Sequence, residues 1–240
     1  MSNVAGPARD ASRIGEMFDA IAPRYDFLNH FLSAGLDVLW RRRAIRSLAL
    51  TGRETVLDLC AGTGDLAIAA RTARPGAARV LGVDFSPVML ALGMKKLAAR
   101  RLDDRMALAQ GDASSIPVRS GSVDAVTIGF GIRNVEDRAA ACREMLRVLK
   151  PGGRLAILEF AMPTSPLFRS LYLSYFRHIL PRLGAWISGH KSAYTYLPES
   201  VDAFRVDEFM DLLRSSGFSD VAADPMAFTS VYLYTARRGS

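Results

Sequence analysis

Short apolar runs recur through the middle of the chain at residues 55–60, 79–84, 106–110, 123–130 and 153–160. Between them, at 65–73, 86–101 and 136–149, apolar positions return every three or four residues, the spacing of an amphipathic helix. Strands that alternate with helices predict parallel pairing through right-handed crossovers. Asp112 to Gly121 reads as loop, and Lys150-Pro151-Gly152-Gly153 as a turn ahead of the fifth strand. Ahead of the first strand, Ala11 to Asn29 is helical in pattern and interrupted by Pro23; a second helix runs from about Gly35 to Leu50, with Leu36, Leu39, Trp40, Ile45 and Leu48 on its core side.

The pattern changes after the fifth strand. From Ser165 to Gly189, Leu167, Leu171, Tyr175 and Ile179 share one helical face, and Phe168, Tyr172, Phe176 and Leu180 the next. So wide an apolar arc either packs into the core or lines a greasy pocket. Val206 to Ser216 predicts a further helix stopped by Gly217. Phe218 to Asp224 and Phe228 to Ala236 predict two closing strands about a turn at Pro225, at least one of them antiparallel.

Composition narrows the class. In 240 residues half are hydrophobic and 23% charged, a globular balance. No run of eighteen uncharged apolar residues occurs, and the polar start of the chain favours a cytoplasmic protein. Cys60 and Cys142 read as buried thiols, with neither a disulfide nor a metal site expected. The net charge is +7, with a cluster at Arg41, Arg42, Arg43 and Arg46. Solvated surface, an anionic membrane and nucleic acid all accommodate that charge, but the chain lacks the interleaved aromatic and basic residues that single-stranded nucleic acid needs.

The chemistry centres on Val56-Leu57-Asp58-Leu59-Cys60-Ala61-Gly62-Thr63-Gly64-Asp65. An apolar strand, a glycine turn and a helix form the plan of a nucleotide-binding unit. Asp58 places a costly charge inside the strand. Asp84 closes the second strand 20 residues after Gly64, where an acid reaches the hydroxyls of a ribose. Asp112 opens the loop after the third strand, where an acid can accept an adenine amino group beside the Ala113 amide. A helix cap is the plain alternative for Asp84, and a side-chain turn for Asp112. Asp65 would repel the pyrophosphate of a dinucleotide, whereas a sulfonium amino acid suits Asp58 and Asp65. That favours S-adenosyl-L-methionine over NAD.

Leu57 to Gly64 is similar to the first motif of class I S-adenosylmethionine-dependent methyltransferases, with Cys60 at the usual first glycine. Tyr25-Asp26-Phe27-Leu28-Asn29 with Ser33 and Trp40, Gly129 to Val135, Arg147 to Gly153 with Glu159, and Tyr194 to Ser200 resemble segments of the menaquinone/ubiquinone biosynthesis C-methyltransferases of UbiE/MenG type. The resemblance covers residues 14–236. It implies an α/β, Rossmann-like class I methyltransferase fold: a mostly parallel seven-stranded sheet, helices on both faces and an antiparallel C-terminal strand. Residues 1–240 would be one domain, with 1–50 a helical attachment and 165–200 an insertion over the acceptor site. It implies cofactor contacts at Asp58, Gly62, Thr63, Gly64, Asp84, Phe85, Asp112, Ala113 and Gly129.

The implied reaction is methyl transfer from S-adenosyl-L-methionine, leaving S-adenosyl-L-homocysteine, to a ring carbon of a polyprenylated quinol. Demethylmenaquinol is preferred over the ubiquinone-pathway benzoquinol. A ring carbon attacks only once a neighbouring hydroxyl has given up its proton. Arg133 is the candidate to stabilise the quinolate, Asn134 to orient a hydroxyl, and Tyr25 to relay the proton or close the site. Each has a plainer reading, Tyr25 as a helix cap and Arg133-Asn134 as a turn. His190 is a weaker candidate base, followed by His30 and His178. The 165–189 segment would roof a prenyl tail, and the Arg41–Arg46 cluster would rest peripherally on anionic headgroups at the inner face of a membrane. Nucleic acid is not expected as a partner; a homo-oligomer is left open.

Overall fold

The computed structural model describes residues 19, 22, 25–27, 29–31, 33–73, 79–175 and 200–240. Residues 176–199, which hold His178, His190 and the Tyr194–Glu199 stretch, lie outside the described residues, as does most of the chain before Asn29. Helix α1 (Leu36–Ser47) precedes β1 (Thr55–Leu59), α2 (Asp65–Ala73), β2 (Arg79–Asp84), α3 (Pro87–Ala99), β3 (Met106–Gln110) and β4 (Val123–Gly129). A turn of 3-10 helix (Ile132–Asn134), α4 (Arg138–Val148), β5 (Leu149–Phe160), α5 (Pro166–Ser174), α6 (Val206–Ser215), β6 (Phe218–Met226) and β7 (Val231–Arg238) follow.

The seven strands form one sheet in the order β3-β2-β1-β4-β5-β7-β6, with β7 antiparallel to both neighbours. Alternation along the central strands sends successive residues to opposite faces. Leu57, Leu59, Val126, Ile128, Leu155 and Ile157 pack under α4 and α6. Val56, Ala125, Ala156 and Leu158 pack under α1 and α2. The strands are thus buried on both sides, which is why they read as continuous apolar runs. Trp40 of α1 sets its ring edge-on to Phe130 and Phe160, whose rings stack with centroids 4.4 Å apart at the ends of β4 and β5.

Two sequence expectations are corrected, and one open alternative is narrowed. Lys150-Pro151-Gly152-Gly153 is part of β5: Leu149 already pairs with Val123, and the register shift before Ala125 absorbs the Pro-Gly-Gly segment as a bulge, with Gly152 at φ 73°. Pro225 lies in β6 opposite Tyr232, because an edge strand can spare one N–H. The hairpin turns at Ala227, Phe228 and Thr229, all at positive φ, and closes where the Ser230 amide donates to the Ala227 carbonyl. Helix α5 buries none of its residues: Leu167 and Leu171 are 67% and 59% exposed, so this part of the apolar arc is not core.

Candidate active site

At the carboxyl ends of β1, β2 and β4 the chain leaves the sheet together, the place where open parallel sheets bind ligands. The turn after β1 holds Gly62 at φ 56° and Gly64 at φ 84°. A side chain at Gly62 would meet nothing within 4 Å, so the turn shows bare backbone to open space. Gly64 instead backs onto Leu108. The Gly62 amide donates to Asp84 Oδ2 at 2.7 Å, and the Ser86 amide donates to Oδ1 at 2.8 Å. Burial raises the Asp84 carboxyl above the ordinary range, against those two amides.

A cavity of about 320 Å³ opens beside this turn. Of the expected site residues it gathers Tyr25, Gly62, Asp84, Phe85, Asp112, Ala113, Gly129 and Asn134. A smaller cavity of about 50 Å³ adjoins it, shares Tyr25, Cys60, Gly62, Gly129 and Phe130, and adds Asp58, Thr63 and Arg41. Gly64 and Arg133 line neither. Asp112 makes the side-chain turn that was its plain alternative, Oδ1 accepting from the Ser114 amide and hydroxyl, and it lines the cavity as well.

Two charges are spent differently from expectation. Asp58 turns into the protein: its carboxylate accepts from Thr127 Oγ1 at 2.7 Å and from the Ala67 amide in the first turn of α2 at 3.0 Å. Asp65 is met by Lys96 at 2.8 Å and lies 3.6 Å from Arg41, so its charge is answered inside the chain and does not by itself select a cationic ligand. Thr63 is buried, donates to Asp26 Oδ1 at 2.5 Å and accepts from Lys96 Nζ at 2.9 Å.

Arg133 is buried and faces the protein. Nη1 donates to Glu159 Oε1 at 2.7 Å and to the Phe130 carbonyl at 2.6 Å, while Nε donates to Ser200 at 3.3 Å. Its amide donates to Glu159 Oε2 at 3.1 Å. Arg133 therefore braces the turn that presents Asn134 to the cavity. Its charge also reaches Tyr25, whose phenol is raised by burial and lowered in part by the Asn29 side chain and Arg133. His30 lies beside Asp37 at 3.0 Å, away from the main cavity.

Sequence reasoning missed Met89, Phe130 and Glu136 as lining residues and Arg41 at the smaller cavity. Met89 was within reach: it stands in the first turn of the helix that follows Asp84, capped by Ser86, whose Oγ accepts the Met89 amide at 3.0 Å. Arg41 was not, because only the docking of α1 brings it to the glycine turn.

The residues present fit an adenosyl sulfonium cofactor. The open face of Gly62 admits a close backbone approach, Asp84 lines the cavity at the end of β2 where an acid could meet ribose hydroxyls, and Val83, Phe85 and Met89 would supply an apolar wall for a base. Fold and site together define an S-adenosylmethionine-dependent methyltransferase of class I architecture. Comparison with known proteins agrees. The model of the ubiE/COQ5 methyltransferase family matches residues 7–237, and the chain belongs to that family. A ubiquinone/menaquinone biosynthesis C-methyltransferase UbiE from Syntrophotalea carbinolica is 47% identical over 223 residues, 92% of each chain. A demethylmenaquinone methyltransferase from Thermus thermophilus is 48% identical over 204 residues, 85% of this chain and 91% of that one. The crystal structure of the [4+2]-cyclase SpnF is 18% identical and superposes with a TM-score of 0.73 over 98% of both chains, a likeness of fold.

Proposed function

We propose that the protein transfers a methyl group to a ring carbon of a polyprenylated quinol, converting demethylmenaquinol to menaquinol. The observation that carries this reading is one cavity joining Asp84 and the glycine turn to Tyr25 and Asn134, in a chain of this family. S-adenosylmethionine supplies an electrophilic methyl on a sulfonium and departs as S-adenosylhomocysteine. The ring carbon forms the new bond as the methyl–sulfur bond breaks; a ring hydroxyl first gives up a proton to make that carbon nucleophilic, and afterwards the hydrogen on the carbon leaves as a proton while the ring oxygen takes one back, so that one proton is released overall.

The protein's part is to hold and to orient. Methyl transfer needs carbon and methyl in line at about 3–3.5 Å. Burial keeps the Tyr25 phenol protonated near neutral pH, so it acts as hydrogen-bond donor or relay rather than as base. Asn134 offers a carboxamide to a ring hydroxyl. Arg133 acts through the turn it braces and through its charge on Tyr25. The ribose role of Asp84 and the adenine role of Asp112 with Ala113 belong to the same reading. So does a peripheral membrane contact through the exposed Arg42 and Arg46 and the exposed Leu167, Leu171 and Phe228.

The relatives' double naming favours one second reading, C-methylation of 2-methoxy-6-polyprenyl-benzoquinol. Incubation with methyl-labelled S-adenosylmethionine and each reduced quinone separates the two. Label in menaquinol is expected. Label only in the benzoquinol product moves the assignment to the ubiquinone pathway, and label in neither removes both.

A further inference from the structure

From the geometry of the smaller cavity we infer that Arg41 is the receptor for the α-carboxylate of the cofactor's amino-acid end. This rests on the cofactor reading of the site. The small cavity adjoins the main one, sharing Tyr25, Cys60, Gly62, Gly129 and Phe130 with it, so a ligand whose base lies toward Asp112 would extend its other end toward Asp58 and Thr63. That end of the cofactor is zwitterionic. Its carboxylate would enter a region lined by the side chains of Asp58 and Asp65, which offer it no counter-charge, so a cation is the group that would receive it. Among the described residues Arg41 is the one cationic side chain lining either cavity.

Arg41 is built in. Its side chain is 17% exposed. Asp37, one turn earlier on α1, holds Nη2 at 2.5 Å, and Asp65 lies 3.6 Å from the same nitrogen. Asp37 is itself fixed by the Ser33 hydroxyl at 2.9 Å and by His30. Asp37 and the Ser33 turn thus aim a guanidinium, whose planar fork suits a carboxylate, across to the glycine turn. This separates Arg41 from the rest of its cluster: Arg42 and Arg46 are exposed, and Arg43 lies 3.9 Å from Asp224 on the hairpin.

Calorimetric titration of the full chain with S-adenosylhomocysteine and with its decarboxylated analogue tests this. In the unaltered protein the carboxylated ligand binds more tightly. Arg41→Met should weaken S-adenosylhomocysteine by roughly tenfold to a hundredfold, the worth of a charged hydrogen bond, and leave the decarboxylated ligand within about twofold. Arg41→Lys should restore part of the difference. Equal weakening of both ligands assigns Arg41 a purely structural role and overturns the proposal, as does unchanged affinity for S-adenosylhomocysteine. Failure of the unaltered protein to bind either ligand removes the cofactor reading itself, an outcome distinct from those two.

Discussion

Asp58 stands in the central strand with 1% of its surface exposed. Burial pushes its carboxyl up to about 7, although Thr127 and the Ala67 amide both favour the charged form. In the unfolded chain the same group ionises near the ordinary value of 3.8. Between those values the folded protein holds a proton that the unfolded chain has released, so stability falls as pH rises from about 4 to about 7 and levels off above. The upper bound is on the order of 4 kcal/mol. Asn fits the same place, its oxygen accepting from Ala67 and its amide donating to a Thr127 hydroxyl turned round to accept. Asp58→Asn should therefore flatten this limb in thermal melts between pH 4 and 8. An unchanged slope would assign the dependence to other groups.

At the scale of elements, the turns after β1 and β4 approach so closely that one carries a glycine for the other. Cys60 occupies the left-handed region at φ 52°, which suits the glycine usual at that motif position. A Cβ added at Gly131 would lie 2.3 Å from Cys60 Cβ and 3.0 Å from its sulfur. Gly131→Ala should cost about 2–3 kcal/mol in denaturant unfolding, the range of an overpacked core. In a Cys60→Gly background the same change should cost less than about 1 kcal/mol, because the atoms it meets are gone. Equal costs in both backgrounds would mean that the two turns relax independently. The N-terminal helical residues are tied down in the same neighbourhood. Asp26 meets Lys96 at 2.5 Å and accepts from Thr63, Asp19 accepts from Ser86, and Tyr25 between them lines the cavity. Asp26→Asn should raise the S-adenosylhomocysteine dissociation rate roughly two- to fivefold, the effect of a partly exposed ion pair, read by stopped-flow fluorescence. An unaltered rate would show that the clasp does not gate the ligand.

What the chain reveals in advance follows the range of the forces involved. Strands buried on both faces and amphipathic helices carry their own period, and all five parallel runs and the helices between them stand where the pattern places them. Local punctuation misleads where the partner strand decides. Pro225 reads as a turn but is tolerated at an edge, and Pro151-Gly152 reads as a turn but is taken up as a bulge. The residues that the strand-end turns bring to the cavity were legible because spacing alone places them. The inward roles of Asp58, Asp65 and Arg133 were not, because each depends on a partner from another element: Thr127, Lys96 and Glu159.

For the whole molecule, the net charge of +7 is a statement about partners only after the internal pairs are removed. Arg41 faces Asp37 and Asp65, Arg133 faces Glu159, and Lys96 faces Asp26 and Asp65, so none of these offers its charge to a surface. Arg42, Arg46 and Arg100 remain exposed along a groove of about 860 Å³ beside α1. The proposed membrane contact then predicts a division of labour within the arginine cluster. The protein should sediment with phosphatidylglycerol vesicles at 10–50 mM salt and be released near 1 M, where the Debye length is about 3 Å. At about 1 kcal/mol per charge near an anionic surface, Arg42→Gln with Arg46→Gln should weaken vesicle binding by roughly 30-fold. Arg41→Met should leave it unchanged while weakening the carboxylated cofactor. Vesicle binding that survives high salt would assign the contact to the exposed apolar residues Leu167, Leu171 and Phe228 instead, and loss on substituting Arg41 alone would mean that the guanidinium held by Asp37 serves the membrane.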